Sequence, residues 1–591
     1  MSKKKRRPAT TGKRTDANQT GSPREPGRTA QAGDCTLRTY TIGSLPIINR
    51  LLERMNLEEI LRQHLPRDHA NTIVPTARGL LVLVRNLLVS REPIYGVGEW
   101  ASQYAPELLG LTEDQVRALG DDRLGRESDR LFAVLGSDLV LDVVRHVLVA
   151  FALGMSELHN DSTTVSFFGA YAKAAEEGTR HGRPTAAITY GHSKARRPDL
   201  KQLLYVLTVT EDGGVPVFFT TKSGNVTDDR THRETWNIMR ELVGSAEFLY
   251  VADCKLASTE NLQYIDRQGG RFVTVLPATR KEDQQFRARL AGGDVRWQPL
   301  YDVRDEHDEV VDQLSVCGEE TLSQEKHRLW WFYSTRKARR DASARLGRVQ
   351  RAIEQLQDLQ ARLQGPRPRL RTSVDVQPAV TEILQPSQSE GWLHVEVHQY
   401  QRETYHQTKP GRPGENTQYI KRKQPHCELT WSVDTAALAA AEQGDGVFPL
   451  ITNARDLTAE EVLRAYKRQP VIEKRFSQLK TDFSVAPVYL KSVSRIQALL
   501  GLYFFALMVQ TLLERELREA MQQAGLESLP LYPEGRPCKC PTARRVIDIF
   551  EPLQRHTLET PAGTQTFHPK LTPLQRKILD LLEIPTEEYT G

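Results

Sequence analysis

Apolar residues between positions 37 and 155 recur at steps of three and four, as in LPIINRLLERMNLEEILRQHL and TARGLLVLVRNLLV, with breaks at Pro66 and Pro75. That spacing keeps one face of a 3.6-residue helix apolar and predicts a helical bundle. Residues 119–135, LGDDRLGRESDRLFAVL, put charge on one face and apolar groups on the other. Beyond residue 155 the pattern changes. HNDSTTVSFFG, TAAITYGHS, LKQLLYVLTVT and VPVFFTTKSG are β-branched and aromatic runs, separated by loops containing Arg196-Arg197-Pro198 and Asp212-Gly213-Gly214. Such runs predict strands. A helix near 230–243, the buried-type strand EFLYVADC, a helix from 256 to about 268 and the strand RFVTVLPA follow.

Three antiparallel strands, then helix, strand, helix and strand, is the order of an RNase H-like α/β core. In that order the first and fourth strands lie side by side, so Asp161, heading the run 163–168, and Asp253, ending EFLYVADC, are expected to face each other. Residues 281–445 then read as an insertion, with strand-like runs RLWWFYST and GWLHVEV around a helix at 342–364. That helix has a short apolar seam at 346, 349, 353, 356 and 363, expected to pack within its own domain. The stretch 409–423, KPGRPGENTQYIKRK, mixes cations with Tyr419 and reads either as a loop-and-strand edge facing phosphate or as a solvated loop. The core resumes with GVFPLITN, and Thr458 with Glu461 offers a capping box for the next helix. Residues 465–483, AYKRQPVIEKRFSQLKTDF, bury Ile472, Phe476, Leu479 and Phe483 as one stripe, with Pro470 starting or kinking the helix. The domains expected are therefore 1–34, a disordered basic arm; 35–154, helical; 155–280 and 446–525, two parts of the core; 281–445, the insertion; and 526–591, a mixed tail ending in a short helix near 572–582.

Composition changes this picture only in places. The 591 residues are 39% apolar and 26% charged, ample for several cores, and the net charge of +5 is small. Its distribution says more: the arm carries Lys3, Lys4, Lys5, Arg6, Arg7, Lys13, Arg14, Arg24 and Arg28 among residues that build no core, suited to phosphate contact or to solubility. Six irregularly spaced cysteines form no disulfide framework and fit a reducing compartment; Cys538 and Cys540 lack a second pair of ligands. No secretory leader is read at the start, and the apolar run 496–513, interrupted by Gln497 and Gln510, is expected to be a core helix rather than a membrane span. Cytoplasmic, nucleoid-associated localisation with no membrane partner is the expectation.

Tyr466, Glu473 and Lys480 reproduce the Tyr-x-x-Arg-x-x-x-Glu-x-x-x-x-x-x-Lys signature, and the chain thereby resembles insertion-sequence DDE transposases, the group that includes the Tn-five transposase. The signature's Arg position holds Gln469, with Arg468 one residue earlier. Gly224-Asn225-Val226-Thr227-Asp228 is similar to a stretch common in the family, and TYGHSKARRPDLKQL resembles the branch with a long N-terminal helical domain.

The resemblance implies that Asp161, Asp253 and Glu473 are catalytic and hold two Mg²⁺ ions, with Mn²⁺ a substitute, since oxygen-only ligands favour hard cations. It implies double-stranded DNA as partner, both terminal inverted repeats and target, and a homodimer in the DNA complex. Tyr466, Arg468 and Lys480 are the expected phosphate contacts, with Lys194, Arg196 and Arg197 as further backbone contacts. The activity implied is cleavage at the element's ends and transfer of the 3′-hydroxyls. Two alternatives stay open: an inert DNA-binding derivative, and an RNase H-like nuclease without strand transfer.

Overall fold

The computed structural model describes residues 30–591 except 33–34, 195, 306, 320, 366–367, 484–489 and 562. The basic residues of the N-terminal arm lie outside the described residues. Ala30–Ala32, expected to end that arm, instead forms a strand paired with Cys35–Thr41. The described chain divides into two compact units: one gathers residues up to 154, 162–226 and 473–591, the other 155–161 and 227–472.

The first unit is built on the helix Val493–Gln523, 31 residues long. By length and composition it could cross a membrane, yet 94% of its most apolar window is buried inside the protein. Its hydropathy has a direct cause: a helix covered on every side has no polar face to keep. The helices Leu45–Arg54, Thr76–Val89, Asp121–Val134, Ala543–Phe550 and Pro573–Leu581, and the strand Pro216–Ser223, all pack on it. The chain ends meet in a four-stranded sheet, where Cys35–Thr41 pairs antiparallel with Gln554–Thr560, followed by Gly563–Phe567. The short helix expected near 572–582 forms as Pro573–Leu581 with Thr572 as its cap, and a last turn, Glu587–Thr590, follows it.

Lys201–Thr210 lies beside Glu157–Phe167 and pairs antiparallel with Pro216–Ser223. TAAITYGHS, expected as a strand, joins this sheet only through an isolated bridge from Thr189 to Gln202. Its backbone is satisfied piecemeal: Ala186 N–H donates to Gln497 Oε1, Ala187 N–H to Ser223 Oγ and Ile188 N–H to the Ala174 carbonyl, while the Ala187 carbonyl accepts from Gly224 N–H. Gly224 is fixed by crowding, since a Cβ there would stand 2.1 Å from the Gln202 carbonyl and 2.6 Å from that of Thr189.

Two buried acids in this unit are treated differently. Glu514, fully buried, accepts from Arg475 Nη1 at 3.0 Å and Gln478 Nε2 at 2.8 Å, with Lys474 and Arg518 each at 3.3 Å. Burial pushes its carboxyl up, but Arg475, Lys474 and Arg518 more than offset this and hold it below its ordinary value. Arg475 also donates to the carbonyls of Gly213 and Gly214, tying the hairpin turn to the signature helix. Glu127 has no hydrogen-bond partner for either oxygen and packs against Gly79, where a Cβ would come within 1.9 Å of Oε2. Burial raises this carboxyl to about 8.

In the second unit the strands run in the order Trp297–Arg304, Val310–Cys317, Arg328–Ser334, Val447–Thr452, Arg271–Val275, Leu249–Ala252 and the start of Glu157–Phe167. The last three are parallel and the rest antiparallel. Residues expected in the insertion thus extend the core sheet, through Arg328–Ser334 pairing with Val447–Thr452. Helix Ala459–Lys467 covers one face, packing Val462, Leu463 and Ala465 on Val251, Val273, Phe332 and Leu450. Its capping box forms as expected, with Thr458 and Glu461 bonded in both directions.

The remainder of the insertion has its own core. The helix Thr335–Leu363 packs Val349, Ala352, Leu356, Leu359 and Leu363 against Val376 and Val380 of Ser373–Ser387 and against Leu393, Cys427 and Leu429. The seam therefore packs within its domain, although Leu346 is 60% exposed. Leu393–Gln407 and Tyr419–Val433 form a ribbon of two 15-residue strands, far longer than the run GWLHVEV suggested.

Two stability predictions follow from the buried acids. Glu514→Gln leaves the Arg475 charge under-compensated and is expected to cost about 3–5 kcal/mol, read from the midpoint of urea unfolding. For Glu127 the native state keeps its proton up to pH about 8 while the unfolded chain releases it near 4.5, so stability falls as pH rises through that window. Glu127→Gln should abolish that fall, worth roughly 4–5 kcal/mol above pH 8, and melting temperatures from pH 5 to 9 would show it.

Candidate active site

The strand Glu157–Phe167 begins with alternating polar residues, Glu157, His159 and Asp161, which a strand's period of two places on one face. Its parallel partner is in register from Glu157↔Leu249 to Asn160↔Ala252. The next residue on each strand is an aspartate. Asp161 and Asp253 are therefore successors of a paired register position, on strands about 4.8 Å apart. Both are half-buried. Asp253 is held in place: its Oδ1 accepts from Lys255 N–H at 3.0 Å, and its carbonyl accepts from Thr274 Oγ1 at 2.6 Å. Two carboxylates presented this way repel each other, which makes the pair a receptor for positive charge.

The signature stretch forms two helices, Ala459–Lys467 and Pro470–Thr481, with Pro470 opening the second as its chemistry predicts. Ile472, Phe476, Leu479 and Phe483 are all buried, so the apolar stripe is real. Glu473 lies in the first turn and Lys480 in the last; both are exposed. Tyr466 packs partly buried against the sheet core.

Arg468 and Gln469, between the two helices, make the contacts that sequence reasoning missed. Arg468 grips the Glu157 carboxylate with two donors, Nε at 2.7 Å and Nη2. Gln469 is buried, its Nε2 donating to the Asn160 carbonyl at 3.2 Å and its Oε1 facing His159 Nδ1 at 2.9 Å. The other ring nitrogen of His159, a residue with no exposed surface, meets Glu157 Oε1 at 2.8 Å. Burial pushes the Glu157 carboxyl up, but the hydrogen bonds from Arg468 and His159 outweigh it and hold it at about 2. The signal for these residues was the alternation Glu157, His159, Asp161 inside a strand, where charged groups persist only with partners.

The loop cations are engaged as well. Lys194 Nζ donates to the Ser162 carbonyl and hydroxyl, both at 2.8 Å. Arg197 forms a two-pronged pair with Asp199 and lies 5.6 Å from the Phe168 ring centroid. Arg196 is exposed, with a left-handed backbone at φ +56°. Among the described residues no group of three or more His, Cys, Asp or Glu side chains is gathered closely enough to hold a metal ion. Asp161 and Asp253 each follow the last paired position of the parallel ladder.

No curated protein matches this chain. Among solved structures it is similar to a chain of the piggyBac transposase synaptic complex with hairpin DNA, at 7% identity and a TM-score of 0.34, over 86% of this chain and 78% of that one. Residues 37–144 match a domain family of unknown function, DUF4277. Residues 154–509, more than half of the sequence, match the family described as "Transposase DDE domain". That span runs from the strand bearing Asp161 through both signature helices, and the chain belongs to the DDE-domain transposases.

Proposed function

We propose that this transposase cleaves DNA at the terminal inverted repeats of its own element and joins the freed 3′-hydroxyl ends to target DNA, using Asp161, Asp253 and Glu473 as the acidic triad of an RNase H-like core. The observation that carries the reading is the register of Asp161 with Asp253 at the end of a parallel pair. The strand order supports it: the antiparallel pair Lys201–Thr210 and Pro216–Ser223 follows Glu157–Phe167 on one side, and the parallel strands Leu249–Ala252 and Arg271–Val275 follow it on the other.

In this proposal Asp161 and Asp253 would hold divalent cations, Mg²⁺ or Mn²⁺, and Glu473, in the first turn of Pro470–Thr481, would complete the ligand set for two of them. Bound there, such ions lower the pKa of the attacking water or 3′-hydroxyl and stabilise the leaving oxygen. The protein's own work is to hold the three acids and the phosphate in line. Lys480 and Tyr466 orient the scissile phosphate, and Lys194, Arg196 and Arg197 line the DNA backbone. Two protomers pair the ends.

The distal half of the insertion ribbon gives the duplex a second surface. From Gln399 to Gln407 and from Tyr419 to Lys423 nearly every residue is exposed on both faces. Arg402, Lys409, Arg412, Lys421, Arg422 and Lys423 face only Glu403 and Glu415 as opposite charges along this end, and Tyr400, Tyr405 and Tyr419 stand exposed among them. A cationic two-stranded ribbon of this width fits a DNA groove.

Incubation of purified protein with DNA carrying the element's ends and Mg²⁺ tests the reading. Wild type should cut and join, whereas Asp161→Asn, Asp253→Asn and Glu473→Gln should each slow cutting by ~10³-fold or more, on the order of 4 kcal/mol of barrier, with end binding retained. Cutting that survives any one substitution removes that acid from the site, and cutting without joining points to a nuclease. For the ribbon, combining Lys409→Ala, Arg412→Ala and Arg422→Ala should flatten the slope of log affinity against log salt by roughly 2–3; an unchanged slope would take the ribbon off the DNA.

A further inference from the structure

The family signature has an arginine where this chain has Gln469, and the structure gives that departure a physical sense. We propose that Glu157, His159, Arg468 and Gln469 are positioning residues: a buried polar lock that fixes where the signature helix starts on the strand carrying Asp161. This rests on the reading of Asp161 and Glu473 as parts of one site.

The hydrogen bonds leave little freedom. Gln469 Nε2 donates to the Asn160 carbonyl, so its Oε1 must be the acceptor turned to His159. Turning the amide over would set two oxygens against each other. His159 Nδ1 is therefore a donor, and Nε2 also faces an acceptor, the Glu157 carboxylate. The ring is held between Gln469 Oε1 and a Glu157 oxygen, which fixes its orientation. Glu157 spends its two oxygens on Arg468 and His159. With both Glu157 oxygens engaged, that carboxylate has none to spare for a guanidinium at position 469. Gln469 supplies one donor and one acceptor, which is what Asn160 and His159 require.

The arrangement acts at a sensitive place. Glu157, His159 and Asp161 share one face of the strand, so the lock seizes the two residues that precede the acid on that face. Gln469 immediately precedes Pro470, and Glu473 comes one turn later. Rotation of the helix start would swing Glu473 with it, and an error of about 1 Å in a catalytic group costs ~10²-fold in rate. Arg468 in this role is an internal anchor and not a phosphate contact, although its side chain is 44% exposed.

Three variants test the lock: Gln469→Met, Arg468→Ala and, as the conservative control, Gln469→Glu, which keeps the acceptor toward His159 but loses the donor toward Asn160. The expected result is cleavage of bound ends slowed by ~10–100-fold in Gln469→Met and Arg468→Ala, with partial rescue in Gln469→Glu. End affinity and its salt slope should stay at wild-type values. Hydrogen exchange at the amides of Val471 and Ile472, which bond to Arg468 and Gln469 carbonyls, should accelerate in the first two variants. The exchange readout does not depend on activity, so it judges the lock even if wild type fails to cut and the proposed reaction is wrong. Unchanged exchange at those amides would overturn the lock. So would a drop of about one in the salt slope of Arg468→Ala with bound DNA cut at the wild-type rate, which would make Arg468 a phosphate contact.

Discussion

The parallel ladder between Glu157–Phe167 and Leu249–Ala252 is the constraint on which the candidate site depends. A parallel pair needs a crossover, here through the strands Lys201–Thr210 and Pro216–Ser223 and the helix His232–Val243, so nothing local in the sequence can set its register. The register comes instead from the apolar faces. Leu249, Val251 and Val273 are buried under the helix Ala459–Lys467, and a slip of one residue would turn those side chains to the opposite face. Burial of hydrocarbon on both strands thus delivers two aspartates to one height at the sheet's end. Two like charges held there are unfavourable by themselves, and the hydrophobic packing beneath them absorbs that cost.

Polar groups are buried in this protein mainly where they tie elements together. Glu157, His159, Arg468 and Gln469 connect a strand to the start of a helix through hydrogen bonds to one another and to the Asn160 carbonyl. The Glu514 cluster does the same for the turn at Gly213 and Gly214 through Arg475. Apolar contacts tolerate sliding, whereas a satisfied hydrogen-bond network has one geometry, so these clusters give position rather than raw stability. Glu127 is held differently: neither of its oxygens has a hydrogen-bond partner among the described residues, and burial keeps its proton in place.

The insertion shows how one chain can serve a fold and add a surface to it. Its first strands extend the core sheet, which spares that sheet an open edge at Val447–Thr452. Its later part builds a small core of its own and projects a ribbon whose far half buries almost nothing. Strands exposed on both faces cannot owe their sequence to packing, and the cations and tyrosines there lie open to solvent.

Much of this was legible in the sequence. The helical spacing read from residue 37 to 155, which holds from Leu45 onward while 37–41 belong to a strand, the capping box of Thr458 and Glu461, the start at Pro470 and the buried stripe from Ile472 to Phe483 are local matters, governed by periodicity and backbone chemistry. So were Asp161 and Asp253 as strand-associated acids, and a seam helix that packs at home. What the sequence could not decide were the long-range pairings: Cys35–Thr41 with the C-terminal hairpin, TAAITYGHS held by scattered backbone and side-chain bonds instead of a ladder, and the insertion's strands joining the core sheet. Nor could it show that Arg468 turns inward to Glu157 while Gln469 serves His159 and Asn160. Those choices are made between groups hundreds of positions apart, where only the folded chain brings donor and acceptor within reach.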